Sequence, residues 1–456
     1  MLRSAVVNLL FAATVVVGGC GRTGLAIGGA GGGVTCGPGT HLVGTECLPG
    51  GSGGANGGGG GDGTGGGGGS GTGAGGGGGG DGGGSGDGGV SGDMSPPPQG
   101  DRATSWQIDP AHSGGQPNTR LRPPLARLWS WDAGGSLSYP LVSDGRVFVT
   151  SAIGGANGSR VTALASGTGG VVWGPIALGG AYAGIATSSY DVSLTRLFVM
   201  NGDGLVSALD PATGRAYWTK QLGAFAGEIG PLVSQAGLLF VPQEWNLVVL
   251  DGKSGATRWM GAAGASPMAT AVTPFGVYTC AVGGYVSAND PASGVALWQH
   301  AGSGDGGGGC YTVLGGGRLY AYDWADPPLV LDPRTGSVDG AFSGPVAPAV
   351  DGDRAYFLIG KNLEAHDANN TVLWTFAGDG TLDTQPIAGG GYVYVGGSSG
   401  MLYAVDETGQ VAFSDLLPSP LGAATDYVSS SGSGFAIAED KLFVSAGTSL
   451  YAYASR

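Results

Sequence analysis

The side chains able to do chemistry are few and scattered. The chain has five cysteines and four histidines, and their spacing matches no familiar reactive set. His112, His300 and His366 stand far apart, with neither metal-ligand spacing nor a Ser-His-Asp order for nucleophilic catalysis. No CxxCH segment is present to hold a haem. His112 lies in "DPAHSGG", ahead of the first strand-like run, where capping the closure of the fold is its expected role. His300 follows Trp298 and reads as an exposed loop residue, whereas His366 falls in a recurring apolar column and reads as packing. Cys36 and Cys47 flank "GPGTHLVGTE", and in an oxidising compartment they would close this small loop as a disulfide. Metal binding there would need more ligands than His41 and Glu46 add. Cys280 and Cys310 can pair if their strands are adjacent, which requires Cα atoms within about 7 Å. Two acids stand beside tryptophans, Glu244-Trp245 and Asp323-Trp324, and this combination suits a protein interface or a sugar. Asp379 and Asp383 offer a cation two carboxylates, far short of a calcium shell of about six to eight oxygens.

Composition limits the partners. A net charge of −14 with only 11% charged residues is a poor match for nucleic acid, which is held through Lys and Arg contacts to phosphate. It is equally unsuited to anionic lipid head groups, so membrane attachment would have to be covalent. The start, "MLRSAVVNLLFAATVVVGGC", has one early cation and an apolar run of about 15 residues, short for a spanning helix and suited to a cleaved signal. Its "VVGGC" ending resembles the lipobox of bacterial lipoproteins, with Gly18 and Gly19 in the small positions and Val17 where leucine is usual. The resemblance implies a signal peptide over 1–19 and acylation of Cys20. No Asp follows the cysteine, so the implied destination is the outer membrane, facing periplasm or cell surface. Residues 20–49 would form the acylated N-terminus with the Cys36–Cys47 loop. Residues 50–103 are mostly Gly, Ser and Asp, which cannot bury apolar surface. They read as a disordered leash whose glycine-rich part spans roughly 35–40 Å r.m.s.. "SPPPQG" stiffens its end.

From 104 to 456 one pattern repeats. Short β-branched and aromatic runs such as "GRVFVTS", "TRLFVMN" and "GYVYVGG" precede a column typified by "VSALDPATGRAYW". The column recurs about every 41 residues, the length of a four-stranded propeller blade. In "DPATG", Asp210 accepts backbone hydrogen bonds, Pro211 presets φ, and Gly214 takes the left-handed position of a turn. "DANNT" and "DETGQ" are one residue shorter, placing Asn370 and Gly409 there instead. The ring ending each motif is Trp173, Trp218, Trp259, Trp298, Trp374 or Phe413, suited to filling the wedge between blades. Blade five has Gly340 at that place, with Phe342 nearby. The last copy lacks a fourth strand, which "PLARLWSW" at 124–131 can supply, closing the ring. The expected fold is all-β, an eight-bladed propeller, with seven blades as the rival count.

These repeats, and "SWQIDPAHSGGQ" ahead of them, resemble quinoprotein-like (PQQ-repeat) β-propellers over about 350 residues. One branch comprises pyrroloquinoline quinone (PQQ) dehydrogenases. Another comprises non-catalytic lipoproteins, including the propeller subunit of the outer-membrane barrel-assembly machinery. The resemblance to the enzymes implies a Cys-Cys disulfide over the quinone, an Asp base, basic groups and a Ca²⁺ shell. The adjacent Cys-Cys pair is missing and the blades carry no long insertions. The reading is therefore a non-enzymatic envelope scaffold for protein partners, monomeric, without cofactor or metal, and held to the membrane only through Cys20. A face carrying Glu244, Trp245, Asp323 and Trp324 is the candidate binding surface. Binding of glycan or peptidoglycan is the alternative, and a PQQ-dependent dehydrogenase a more distant one.

Overall fold

Strand-forming runs of five to seven residues separated by tight turns leave the chain no route to long elements, and the structure is built accordingly. The computed structural model describes residues 40–43, 46–49 and 100–456, apart from 155, 182–184, 224–229, 244–245, 263–267, 282–283, 303–308, 324–326 and 423–433. The described residues fall in two units, divided between Asp87 and Gly88. In the first, Thr40–Val43 and Glu46–Pro49 form an antiparallel hairpin that sets Leu42 opposite Cys47. The second is an eight-bladed propeller of four-stranded antiparallel blades, two of which gain a two-residue parallel strand at the inner edge, Met268–Ala269 and Gly115–Gln116.

Seven blades are continuous in sequence, spanning 141–179, 187–221, 233–262, 271–300, 310–341, 349–376 and 387–416. The eighth takes its inner three strands from 435–455 and its outermost from Leu125–Asp132 at the front of the chain. Trp129 of that strand stands opposite Ala452. Blade 8 is pinned to blade 7 by Asp415, which accepts from Arg127 Nη2 at 2.6 Å and Tyr453 Oη at 2.8 Å.

The first three strands of each blade are apolar on both faces because neighbouring blades cover both. The hydrophobic clusters lie accordingly across blade boundaries, as where Phe198, Met200 and Ala208 of blade 2 meet Leu239, Val241 and Leu250 of blade 3. The outermost strands face solvent and alternate instead, as in Ala216–Gln221. In all eight blades the pairing of third and fourth strands slips by a bulge, at one place in seven of them, such as Ala208/Leu209 or Ala404/Val405, and at three in blade 1. A bulge twists the strand locally and re-aims the side chains beyond it.

What the bulge aims is the recurring indole. Trp129, Trp173, Trp218, Trp259, Trp298 and Trp374 donate from Nε1 to the carbonyls of Ser166, Pro211, Gly252, Pro291, Pro333 and Glu407 at 2.9–3.1 Å, each in the next blade's turn. Each ring also lies on the glycine of that turn: Gly169, Gly214, Gly255, Gly294, Gly336 or Gly409. All six glycines have positive φ, and an added Cβ would stand 2.4–3.0 Å from the ring. Glycine is therefore required twice, for its dihedral and for the close approach.

Two seams depart from this rule, each for a visible reason. Blade 5 has Gly340 in place of the tryptophan, and blade 6 has Asn370 at φ +61 in place of the glycine. With no ring to exclude it, the Asn370 side chain crosses the seam and donates to the Ala341 carbonyl at 3.0 Å. Its Oδ1 lies 2.8 Å from His366 Nδ1, and Glu364 engages the other ring nitrogen at 3.1 Å. At the blade 7–8 seam the receiving blade has no third-to-fourth turn, since its outer strand comes from elsewhere. An indole N–H would find no carbonyl there, and Phe413 packs on Tyr453 instead.

Gly340 and Asn370 should therefore be coupled. Gly340→Trp alone is expected to destabilise, because Asn370 stands where the ring must lie. Adding Asn370→Gly should recover that loss, with a coupling of about 1–3 kcal/mol in a chemical-denaturation double-mutant cycle. Additive effects would count against the packing rule.

Candidate functional site at the ring axis

A propeller places the innermost edges of its sheets around an axial channel, where their unpaired backbone groups must find partners. Part of that need is met by hydroxyls of neighbouring blades. Thr187 Oγ1 accepts from Leu232 N, Ser189 Oγ from Ser234 N, and Thr312 Oγ1 from Ala271 N, each at 2.9 Å. Blade 5 is also met by Met268–Ala269, which runs parallel to Cys310 and Tyr311, and much of the remainder by residues 103–116, which run once around the axis as a belt.

The belt touches the blades in order. Ala103 exchanges both backbone bonds with Val142 of blade 1, and the Thr104 carbonyl accepts from Tyr190 N of blade 2 at 2.8 Å. Ser105 Oγ reaches the Leu232 carbonyl beside blade 3 at 3.4 Å. The carbonyls of Pro110, Ala111, Ser113 and Gly114 accept from Val272, Leu314, Val350 and Ala388 of blades 4 to 7 at 2.7–2.9 Å. Gln116 Nε2 ends the circuit on Ile437 of blade 8 at 3.3 Å, and binds the Arg102 carbonyl at 2.7 Å. In these seven backbone contacts, blade 3 aside, the innermost-strand residue is the one paired with the second residue of its neighbouring strand.

Between blades 3 and 4 the belt turns in toward the axis. Gln107, Ile108 and His112 there have φ of +54, +75 and +59, a region costly for side chains with a Cβ, and most of all for a β-branched one. Trp106 is buried in a cluster joining Leu141 and Phe148 of blade 1, Tyr190 of blade 2, Tyr311 and Val313 of blade 5, and Val350 of blade 6. The His112 ring meets the Trp106 ring edge-on at 4.9 Å.

Two titratable groups are sealed in. His112 is 0% exposed and neither ring nitrogen has a well-aligned partner. Burial lowers its pKa to about 3, the Thr312 backbone opposing only in part. The Asp109 carboxyl accepts from Ser113 N at 3.1 Å and Ser113 Oγ at 2.5 Å. Burial outweighs these bonds and pushes its pKa up to about 6. The imidazole is neutral, and neither of its nitrogens is hydrogen-bonded to the Asp109 carboxyl.

PQQ would require cationic groups for its carboxylates and oxygen ligands for Ca²⁺. The belt occupies the axis, and among the described residues no lysine or arginine is buried. The residues present do not fit that group.

The residues singled out in the sequence are dispersed. Asp323 is buried, not displayed, and accepts from Gly284 N of blade 4 at 2.7 Å; it ties two blades together where surface exposure was expected. Glu244, Trp245 and Trp324 lie outside the described residues. Cys280 and Cys310 form a buried disulfide between blades 4 and 5, with Cα atoms 6.0 Å apart. Cys20 and Cys36 lie outside the described residues, and Cys47 falls in Glu46–Pro49. His300 ends an outer strand opposite Val286 and is not a loop residue. Asp379 is bound by Thr381 and Ser399, and Asp383 pairs with Lys361 at 2.7 Å, so the two acids serve separate contacts. The belt itself was missed: its bonds are mostly backbone, and only the strain-tolerant "GG" and the aromatic Trp106 hinted at it.

A family model described as outer membrane protein assembly factor BamB matches residues 157–279 and 282–456. The chain belongs to the BamB family. The BamB-family propeller superposes on BamB from Moraxella catarrhalis with 18% identity and a TM-score of 0.55, over 73% of this chain and 98% of that one. A europium-containing methanol dehydrogenase shares the fold at 14% identity and TM-score 0.55, covering 77% and 98%. The quinohemoprotein alcohol dehydrogenase from Comamonas testosteroni does so at 13% and 0.55, covering 79% and 81%. No curated protein matches the chain in sequence.

The two buried groups make opposite contributions to pH dependence. Asp109, raised to about 6, adds stability that is full below its ordinary value near 3.8 and lost as pH rises through 6. His112, lowered to about 3, adds stability that is full above its ordinary value near 6.5 and lost as pH falls. Between about pH 4 and 6 the slopes oppose each other. Relative to wild type, Asp109→Asn should make stability rise with pH across this window by up to ~1.4 kcal/mol per unit, and His112→Asn should make it fall. Urea midpoints across that range read both, and parallel profiles for all three proteins would contradict the assignment.

Proposed function

We propose that this chain is a tethered, non-enzymatic propeller lipoprotein that holds protein partners in the cell envelope. One observation carries the non-enzymatic part: the mouth of the ring's axis is lined by the chain's own residues 103–116, bonded to every blade or its flanking loop. Membership of the BamB family supports a role in assembly at the outer membrane. The lipobox-like "VVGGC" and the glycine-rich stretch after it support a lipid anchor at Cys20 followed by a long leash. The proposed contacts are made by the hairpins bearing Glu244–Trp245 and Asp323–Trp324, with Asp323 holding its hairpin in place and the tryptophans making contact. Cys36 and Cys47 close the small loop near the anchor.

Two measurements test this reading. Thermal unfolding of the full chain with PQQ and Ca²⁺ should show no upward shift. Stabilisation near 2.7 kcal/mol at a hundredfold excess over Kd, the value for a genuine site, would restore the dehydrogenase reading. Expression in a Gram-negative host should place the wild-type protein in the outer-membrane fraction with a lipid label. Cys20→Ser should remove the label and shift the protein to the soluble fraction, and unchanged partition would overturn the anchor.

A further inference from the structure

We propose that the mouth of the axial channel is a receptor for an extended peptide, and that the belt Ala103–Gln116 is its resident, releasable ligand. Recognition is built into the blades. Six of them present a backbone N–H at one register, from Val142, Tyr190, Val272, Leu314, Val350 and Ala388, and each points to a belt carbonyl. Donors of this kind bind any chain that follows the curve, as a sheet edge captures an added strand.

Side chains then narrow the choice. The Trp106 cluster takes one bulky aromatic. Eight and nine positions later the belt has Gly114 and Gly115, where an added Cβ would stand 3.0 Å from Ala349 and 2.3 Å from the Val350 carbonyl. The peptide class is therefore extended, aromatic, and followed at that distance by two glycines.

The belt is also made to leave. Every four-stranded blade is complete without it, since residues 125–455 supply all of those strands, and its only ladder is the two-residue pair Gly115–Gln116 beside blade 7. It is held against left-handed φ at three residues with side chains and with the His112 nitrogens unmatched. Strain of this kind persists only where surrounding contacts impose it, and it favours release as a unit over release of any blade.

Amide hydrogen exchange of the full chain tests the idea. The six N–H groups should exchange as one set, at least about tenfold faster than the second-strand amides of the same blades. Trp106→Ala should accelerate that set and leave the blades unchanged. A fluorescein-labelled peptide of residues 101–116 should then bind the Trp106→Ala chain, and the same peptide carrying Gly115→Val should not. Exchange of the six amides only together with the blades would overturn release, and this reading stands on wild type even if the variant fails to fold. Release without peptide binding, or equal binding of both peptides, would overturn the receptor.

Discussion

A ring of sheets has two sets of edges, and the inner set is the harder to satisfy, because there is no water-filled exterior for its amides to face. Here many of those amides are met by neighbouring hydroxyls and by a single turn of backbone from the front of the chain. The rest follows from that solution. With polypeptide lining the axis, Trp106 joins a cluster that links blades 1, 2, 5 and 6, and Asp109 and His112 are buried with their charges suppressed. The fold is shared with quinone enzymes, and it is what lies at the centre, more than the ring itself, that sets what one architecture can do.

The blade boundaries show a second economy. An indole N–H, a carbonyl and a left-handed glycine form a joint that recurs at six of the eight seams. The two exceptions obey the same physics. Where the ring is missing, a larger residue enters the space, as Asn370 does. Where the acceptor carbonyl is missing, a ring without a donor suffices, as with Phe413. The joint is a matched set, and its members change together.

The eight blades and the closing strand were legible because both rest on local signals: strand-length apolar runs, Asp-Pro-x-x-Gly turns, and a last repeat one strand short. The axis was not. "TSWQIDPAHSGGQ" has no periodicity of its own, and its bonds go to strands up to 321 residues away. Asp323 was misjudged for a related reason: beside a tryptophan it looks like surface, and only the neighbouring hairpin's Gly284 amide shows it to be buried. Exchange of ring for asparagine between Gly340 and Asn370 is likewise invisible until blades 5 and 6 are placed side by side.

Closure through the front of the chain also dictates an order of events. The strand Leu125–Asp132 pairs with Ser449–Ser455, and Arg122 N bonds Ser455 Oγ across 333 residues. The strand Leu125–Asp132 therefore has no ladder partner until Ser449–Ser455 is in place. A chain without Ser449–Ser455 leaves that strand unpaired, with exposed sheet edges of the kind that invite aggregation. Closure of the ring thus depends on the first and last strands of the propeller at once.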